Sequence, residues 1–300
     1  MADVRFTGSG VALVTPFDGA GVNESALREL VRFHHREGTD ALIVCGSTGE
    51  AATMSAEEQK RAIEVVVDEN AGRLPVIAGC GGSDTAAVAR LAAQAREAGA
   101  DAVLVSAPPY NKPTQRGLTA HYRAVLDAAD LPLIVYNVPG RAAVNILPAT
   151  IAELAADERV IGVKEASGDI AQVAELARLV DGRLEVWSGN DDQIVPILAL
   201  GGAGVISVLA NVVPGDVSRM VHLFLDGDVA GARALQLRYL PLVRALFAES
   251  NPIPVKAAVE WLGFPVGAPR LPLLRSEGAA RERLIAALEE AGVRPVVEAR

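Results

Sequence analysis

The 300-residue chain is poor in cysteine, histidine and aromatic side chains, with two, four and 4% respectively. Each shortage closes off a class of protein. Cys45 and Cys80 are too few and too poorly spaced for a disulfide framework or a zinc cage, and read as buried apolar filler. His34 and His35 sit side by side on a helix and cannot face a common metal, while His121 and His222 are isolated, so no metal site is expected. With few rings available, the core must be built from Val, Ile, Leu and Ala, as stacked parallel strands require. No cluster of Lys or Arg is long enough to track a phosphate backbone, and 37 acidic residues against 28 basic ones leave a net charge of -9, which argues against nucleic acid as a partner. The first residues, Met-Ala-Asp-Val-Arg-Phe-Thr, hold no apolar stretch of signal-peptide type; the expected location is the cytoplasm. The Asn23-Glu24-Ser25 sequon then has no glycosylation meaning, and Asn23 reads as a helix cap. Residues 193–215 carry no charge and are long enough to suggest a membrane span. Pro196, Gly201, Gly202 and Gly204 interrupt them, and aromatic or basic flanks are missing, so a short helix, a glycine turn and a buried strand account for them better. No membrane partner is expected.

What is present is alternation. Short β-branched runs at residues 11–15, 41–45, 75–79, 102–106, 133–137, 160–165, 184–188 and 205–209 read as eight strands, each followed by a stretch of helical periodicity. Leu27, Leu30, Val31 and His34 fall on one helix face, as do Val88, Leu91, Ala92 and Ala95, and Val173, Leu176, Ala177 and Val180. Ser55-Ala56-Glu57-Glu58 is a capping box. Eight such units fit a closed (β/α)₈ TIM barrel or a doubly wound sheet. No GxGxxG follows a strand and no Walker A sequence exists, which weakens the nucleotide-binding alternative, and no cofactor is called for. After about Asp226 the alternation gives way to helical stretches at 229–247, 255–262 and 277–290. The expected organisation is a catalytic barrel over residues 1–226 and a C-terminal helical extension over 227–300.

Barrel enzymes carry their reacting groups where strands end and βα loops begin. Read in order, those ends supply hydroxyls, amides, one lysine and one arginine. Lys164 closes the apolar run Val160-Ile161-Gly162-Val163 and shares a face with Gly162 and Ala166. If that face is the interior, desolvation frees an amine nucleophile for a carbonyl carbon; if not, Lys164 snorkels to solvent or pairs with Glu165. Tyr136 and Tyr110 end strands and either relay protons or merely pack. Ser47 and Thr48 offer hydroxyls for a carboxylate, and the turn from Gly46 to Gly49 is only a weak phosphate signal. Arg141 follows the rigid Pro139-Gly140 turn and either meets a carboxylate or makes an exposed salt bridge.

Five segments in order, Gly46-Ser47-Thr48-Gly49-Glu50, Pro109-Tyr110-Asn111-Lys112-Pro113, Tyr136-Asn137-Val138-Pro139-Gly140-Arg141, Gly162-Val163-Lys164-Glu165-Ala166-Ser167-Gly168 and Asn251-Pro252-Ile253-Pro254-Val255-Lys256, resemble the dihydrodipicolinate synthase (4-hydroxy-tetrahydrodipicolinate synthase) family of pyruvate-dependent class I aldolases. The likeness spans nearly the whole chain. It implies a (β/α)₈ barrel that condenses pyruvate with aspartate semialdehyde in lysine and diaminopimelate biosynthesis, commonly as a tetramer of two tight dimers. It also implies roles: Lys164 forms the Schiff base, and Tyr136 donates and accepts protons through Ser47 and Tyr110, the last reaching in from a neighbouring subunit. Thr48 holds the pyruvate carboxylate, Gly189 and Ile206 line the pocket through backbone groups, and Arg141 receives the carboxylate of the aldehyde. Two departures stand out. Ser47 replaces the usual Thr, as in the related N-acetylneuraminate lyases, and Ala142-Ala143 replace Thr-Gly after Arg141. The nearest alternative is an aldolase acting on a sugar-derived 2-oxo acid, against which Arg141 argues because a polyhydroxylated acceptor needs neutral groups there. The other is a catalytically silent barrel, against which the full set of Lys164, Tyr136, Ser47 and Tyr110 argues. At the dimer-interface pocket where many family members bind lysine, the ligand-gripping positions fall on Ala56, Gln59, Ser83, Ala87 and Pro109. Little feedback inhibition by lysine is expected.

Overall fold

The computed structural model describes residues 4–19 and 21–296. The remaining residues, at the outer ends of the expected barrel (1–226) and C-terminal region (227–300) and at Ala20, lie outside the described residues. The chain begins with β1 (Gly8–Ala12) and a small antiparallel hairpin of β2 (Phe17–Asp18) and β3 (Gly21–Val22). There follow α1 (Glu24–Glu37), β4 (Ala41–Val44), α2 (Ala56–Asn70), β5 (Val76–Cys80), α3 (Thr85–Glu97), β6 (Ala102–Ser106), α4 (Gln115–Ala129) and β7 (Leu133–Asn137). The order continues with a one-turn helix α5 (Pro139–Ala142), α6 (Pro148–Leu154), β8 (Val160–Glu165), α7 (Ile170–Val180), β9 (Glu185–Ser188), α8 (Ile194–Leu198), β10 (Gly204–Ser207) and α9 (Pro214–Leu225). Strands β1 and β4 to β10 are parallel and close on themselves when β10 pairs with β1, giving the expected (β/α)₈ barrel. The helix starts agree with the sequence: the Asn23 side chain accepts from Ala26 N–H, and Ser55 and Glu58 form the reciprocal box.

Two strands depart from expectation by more than one residue. The first strand was expected at 11–15 and lies three residues earlier, because small residues build it. A Cβ on Gly10 would meet the Phe6 ring and Ile43, and one on Gly204 would collide with Gly8 O at 1.8 Å. Bare backbone at these points lets Phe6 enter the barrel and the first and last strands touch. Beyond Ala12 the chain is held by Asn211, whose amide accepts from Val14 N–H and donates to Ala12 O. The last strand was expected at 205–209 but stops at Ser207, since the N–H groups of Val208 and Leu209 turn aside to the Asp191 carboxylate. Residues 193–215 thus form α8, β10 and a 3₁₀ turn at Leu209–Asn211. Among the described residues no helix is long and apolar enough to cross a membrane.

One apolar layer lies between strands and helices, and a smaller cluster fills the barrel. Within that cluster Trp187 stacks on Phe6 at 4.8 Å and donates its indole N–H to Phe6 O at 3.1 Å. Its ring occupies the space a side chain at Gly162 would need, 2.3 Å from the missing Cβ. After α9 come α10 (Val229–Leu246), α11 (Ile253–Trp261) and α12 (Gly278–Glu290), close to the three expected helices. Gln236 of α10 donates to Asp191 O and accepts from Val195 N–H, which fastens this region to the barrel beside β9.

Candidate active site

The ends of β4, β5, β6, β7, β8 and β9 surround a cavity of about 480 Å³. Lys164, Tyr136, Ser47, Thr48, Arg141 and Gly189, all singled out from sequence, line it. Lys164 and Tyr136 are register partners on β8 and β7, so their side chains leave the sheet on the same, inner side. The Lys164 Nζ lies 4.5 Å from the centre of the Tyr136 ring. Both are buried, Lys164 at 5% exposure and Tyr136 at 9%. Gly189 makes room for the lysine, since a Cβ there would stand 3.1 Å from Lys164 Cε and 2.7 Å from Ala166.

Burial brings the Lys164 ammonium down to about 8; Asp191 opposes the shift and Arg141 reinforces it. Burial also pushes the Tyr136 phenol up to about 12, against the pull of Arg141. An amine close to neutrality can therefore attack a carbonyl carbon beside a phenol that stays protonated and can donate. Lys164 Nζ has no hydrogen bond or ion pair among the described residues. The pairing with Glu165 does not occur, because that carboxylate faces the helix layer and accepts from Asn137 Nδ2 and Ser167 N–H. Glu165 and Asn137 act as struts despite their place beside the lysine and tyrosine. Cys45 and Cys80 line the cavity as buried thiols, with Cys80 pushed up to about 12 by burial.

Ser47 stands exposed at the cavity wall, and neither its hydroxyl nor the Tyr136 phenol has a hydrogen-bond partner among the described residues. Tyr110 does not join them. It lies outside the cavity lining at 88% exposure, in a loop where Tyr110 and Lys112 both take positive φ, 71° and 48°. Ile206 is fully buried in the barrel cluster and is not among the cavity-lining residues either. Arg141, on α5, donates from Nη2 to the main-chain carbonyl of Asn251 at 2.9 Å.

Sequence reasoning about strand ends missed a second group. Phe247, Asn251, Pro252, Pro272 and Leu273, all beyond the last barrel helix, also line the cavity. Asn251 is 6% exposed, and its Nδ2 donates to Thr48 Oγ1 at 3.0 Å. Asp191 was missed as well. It is fully buried, accepts from Ser207 Oγ at 2.6 Å and from two backbone N–H groups, and places a carboxylate in the electrostatic field of Lys164.

Residues 5–291 match the dihydrodipicolinate synthetase family. The 4-hydroxy-tetrahydrodipicolinate synthase of Thermoanaerobacter sp. (strain X514) is 52% identical over 289 residues, which are 96% of this chain and 97% of that one. The crystal structure of dihydrodipicolinate synthase from Aquifex aeolicus superposes with a TM-score of 0.94 at 41% identity, covering 97% of this chain and 99% of that one. The chloride-inhibited dihydrodipicolinate synthase of Acinetobacter baumannii complexed with pyruvate gives a TM-score of 0.94 at 39% identity, over 97% and 100% of the two chains. The chain belongs to the dihydrodipicolinate synthetase family, lyases of the class I aldolase type.

Proposed function

We propose that this chain condenses pyruvate with L-aspartate 4-semialdehyde through a Schiff base on Lys164, giving 4-hydroxy-tetrahydrodipicolinate. The observation that carries the reading is the buried, unpaired Lys164 amine beside Tyr136 in the cavity at the strand ends. Nζ adds to C2 of pyruvate and water leaves, so that the iminium withdraws electrons from the methyl group. Loss of a methyl proton gives an enamine, whose carbon attacks the aldehyde and forms the new C–C bond. Tyr136, with Ser47, moves the protons, and the aldehyde oxygen ends as a hydroxyl. The amino group of the incoming substrate then attacks C2, closes the ring and releases Lys164. Thr48 holds the pyruvate carboxylate and Arg141 the carboxylate of the aldehyde. Gly189 belongs to the pocket wall through its backbone, while Ile206 stays behind it in the barrel cluster.

Tyr110 completes the proton relay of a neighbouring subunit, an assignment supported by its exposure and its position outside its own chain's cavity. The assembly is then a homotetramer of two tight dimers, working in the cytoplasm on small molecules. Residues 1–226 form the catalytic barrel and 227–300 a C-terminal helical region, from which Phe247, Asn251, Pro252, Pro272 and Leu273 reach the cavity. Free lysine inhibits weakly or not at all, because Ala56 and Ala87 offer no polar side chain and the Gln59 amide N–H₂ is directed to Ala51 O and Met54 O. A saturable fall in rate below millimolar lysine would contradict this. For the reaction itself, the test is competition between acceptors: aspartate semialdehyde should outcompete N-acetylmannosamine and small hydroxyaldehydes in pyruvate consumption. A preference for the sugar would overturn the assignment.

A further inference from the structure

Three segments far apart in sequence meet at Asn251. Thr48 lies 203 residues before it and Arg141 110 residues before it, yet both bond to it, one through the side chain and the other through the main-chain carbonyl. A hydroxyl has one proton to give and two lone pairs to receive with. Thr48 is 3% exposed and lines the cavity, and among the described residues its hydroxyl is hydrogen-bonded to Asn251. Since Asn251 Nδ2 donates to Thr48 Oγ1, the Thr48 proton is left over. With the carboxamide turned the other way, that proton would be taken by Oδ1. In the orientation present, Oδ1 is buried without a partner among the described residues. The orientation present is thus the one that keeps the Thr48 hydroxyl available as a donor.

A second tie holds the same two segments in place. Lys256, on α11 beyond Asn251, grips Glu50 at 2.8 Å in the loop that carries Thr48. Glu50 has a left-handed backbone, φ 56°, which is uncommon for a non-glycine residue.

We infer that Asn251 is a positioning residue of the condensation, fixing the Thr48 hydroxyl as a donor to the pyruvate carboxylate while its backbone carbonyl anchors Arg141. The inference rests on the assignment of Thr48 to pyruvate made above. It predicts a division that a general loosening of the fold would not produce. Truncating the side chain leaves the carbonyl, so Arg141 keeps its anchor and only the pyruvate site is disturbed.

The test is steady-state kinetics of the full-length enzyme with both substrates varied, for Asn251→Ala, Asn251→Asp, Thr48→Val and the double variant Asn251→Ala/Thr48→Val. Asn251→Ala should raise KM for pyruvate about tenfold, with KM for the aldehyde changed less than about twofold, the scale of one hydrogen bond to a charged group. Asn251→Asp is isosteric but can only accept from Thr48 and adds a negative charge beside a carboxylate. It should raise KM for pyruvate further, on the order of a hundredfold, while remaining folded. The double variant should match Thr48→Val alone, because the two act through one hydroxyl. A rise with Thr48→Val but none with Asn251→Ala overturns this inference and spares the Thr48 assignment. No rise with either overturns both. Equal rises in the two KM values, or fully multiplicative effects in the double variant, also overturn it.

Discussion

Two lysines are buried in this protein, and they are buried to different ends. Lys256, at 1% exposure, gives all its protons away: to Glu50 at 2.8 Å, Thr15 O at 3.1 Å and Ala268 O at 3.2 Å. Each Nζ lies 4.5 Å from the centre of an aromatic ring, Phe17 for Lys256 and Tyr136 for Lys164, but Lys164, at 5%, has no acceptor in reach among the described residues. Burial lowers the pKa of both. For Lys256 the Glu50 carboxylate opposes that shift by a direct hydrogen bond; for Lys164 Asp191 opposes it only through space. Depth alone therefore does not make a nucleophile. An ammonium bound in three hydrogen bonds has no lone pair to offer, whereas an unpaired one loses its proton readily and attacks.

The sharpest way to break this comparison is to remove each amine in turn. Lys164→Ala should lower turnover by on the order of 10⁴-fold or more, as loss of a covalent nucleophile does. Borohydride with pyruvate should add a reduced pyruvyl group to Lys164 of the native enzyme, and peptide mass mapping should find Lys256 and the exposed Lys112 unmodified. Label on Lys256 would erase the distinction.

That distinction was half legible in the sequence. Lys164 showed itself because period-two alternation puts it on the face of Gly162 and Ala166, and the barrel interior is indeed where that face points. Lys256 lies on a helix, in a segment whose likeness to the family was visible but whose role was not, because its partner Glu50 is 206 residues away. Asn251 was hidden for the same reason: its chemistry is a hydrogen bond to a distant loop, and nothing in the local pattern signals one. The displaced first strand has another cause. Gly8, Ser9 and Gly10 carry no β-branched side chain, so propensity pointed to the apolar residues that follow, while close backbone packing selected the small ones.

The next largest effect is on stability, and it should fall on the opposite lysine. Lys256→Met leaves Glu50 buried at 2% side-chain exposure without its cation. Breaking such a pair costs about 3–5 kcal/mol, which lowers an unfolding midpoint by roughly 10 °C. Lys164→Met removes a desolvated cation that has no partner, so its midpoint should be unchanged or raised. Thermal melts of the two variants beside the native protein would show this. Equal losses would mean that the two amines are held alike.

The smallest effect, and the most direct reading of the contrast, is the pH profile of imine formation. With its pKa near 8, about 10% of Lys164 is free amine at pH 7, against about 0.03% for a lysine at its ordinary value, roughly a 300-fold gain in nucleophile. The trapping rate with pyruvate should therefore climb about tenfold per pH unit below about 7.5 and level off above about 8.5. Arg141 helps to lower the pKa and Asp191 resists, so Arg141→Ala should move the plateau to higher pH and Asp191→Asn to lower pH. The stability sign follows from the same shift. Between about 8 and 10.5 the unfolded chain binds more protons at this position than the folded one, so the contribution of Lys164 to stability rises with pH across that window. Below it, the cost of burying the ammonium is fully present; above it, the cost is gone. Lys164→Met should abolish that share of the rise, leaving only what other groups contribute, such as Lys256, which burial also lowers. Single-turnover trapping from pH 6 to 10, set beside unfolding measurements over the same range, tests both halves. A trapping rate that is flat between pH 6.5 and 8 would show that Lys164 is not the amine whose proton limits the reaction.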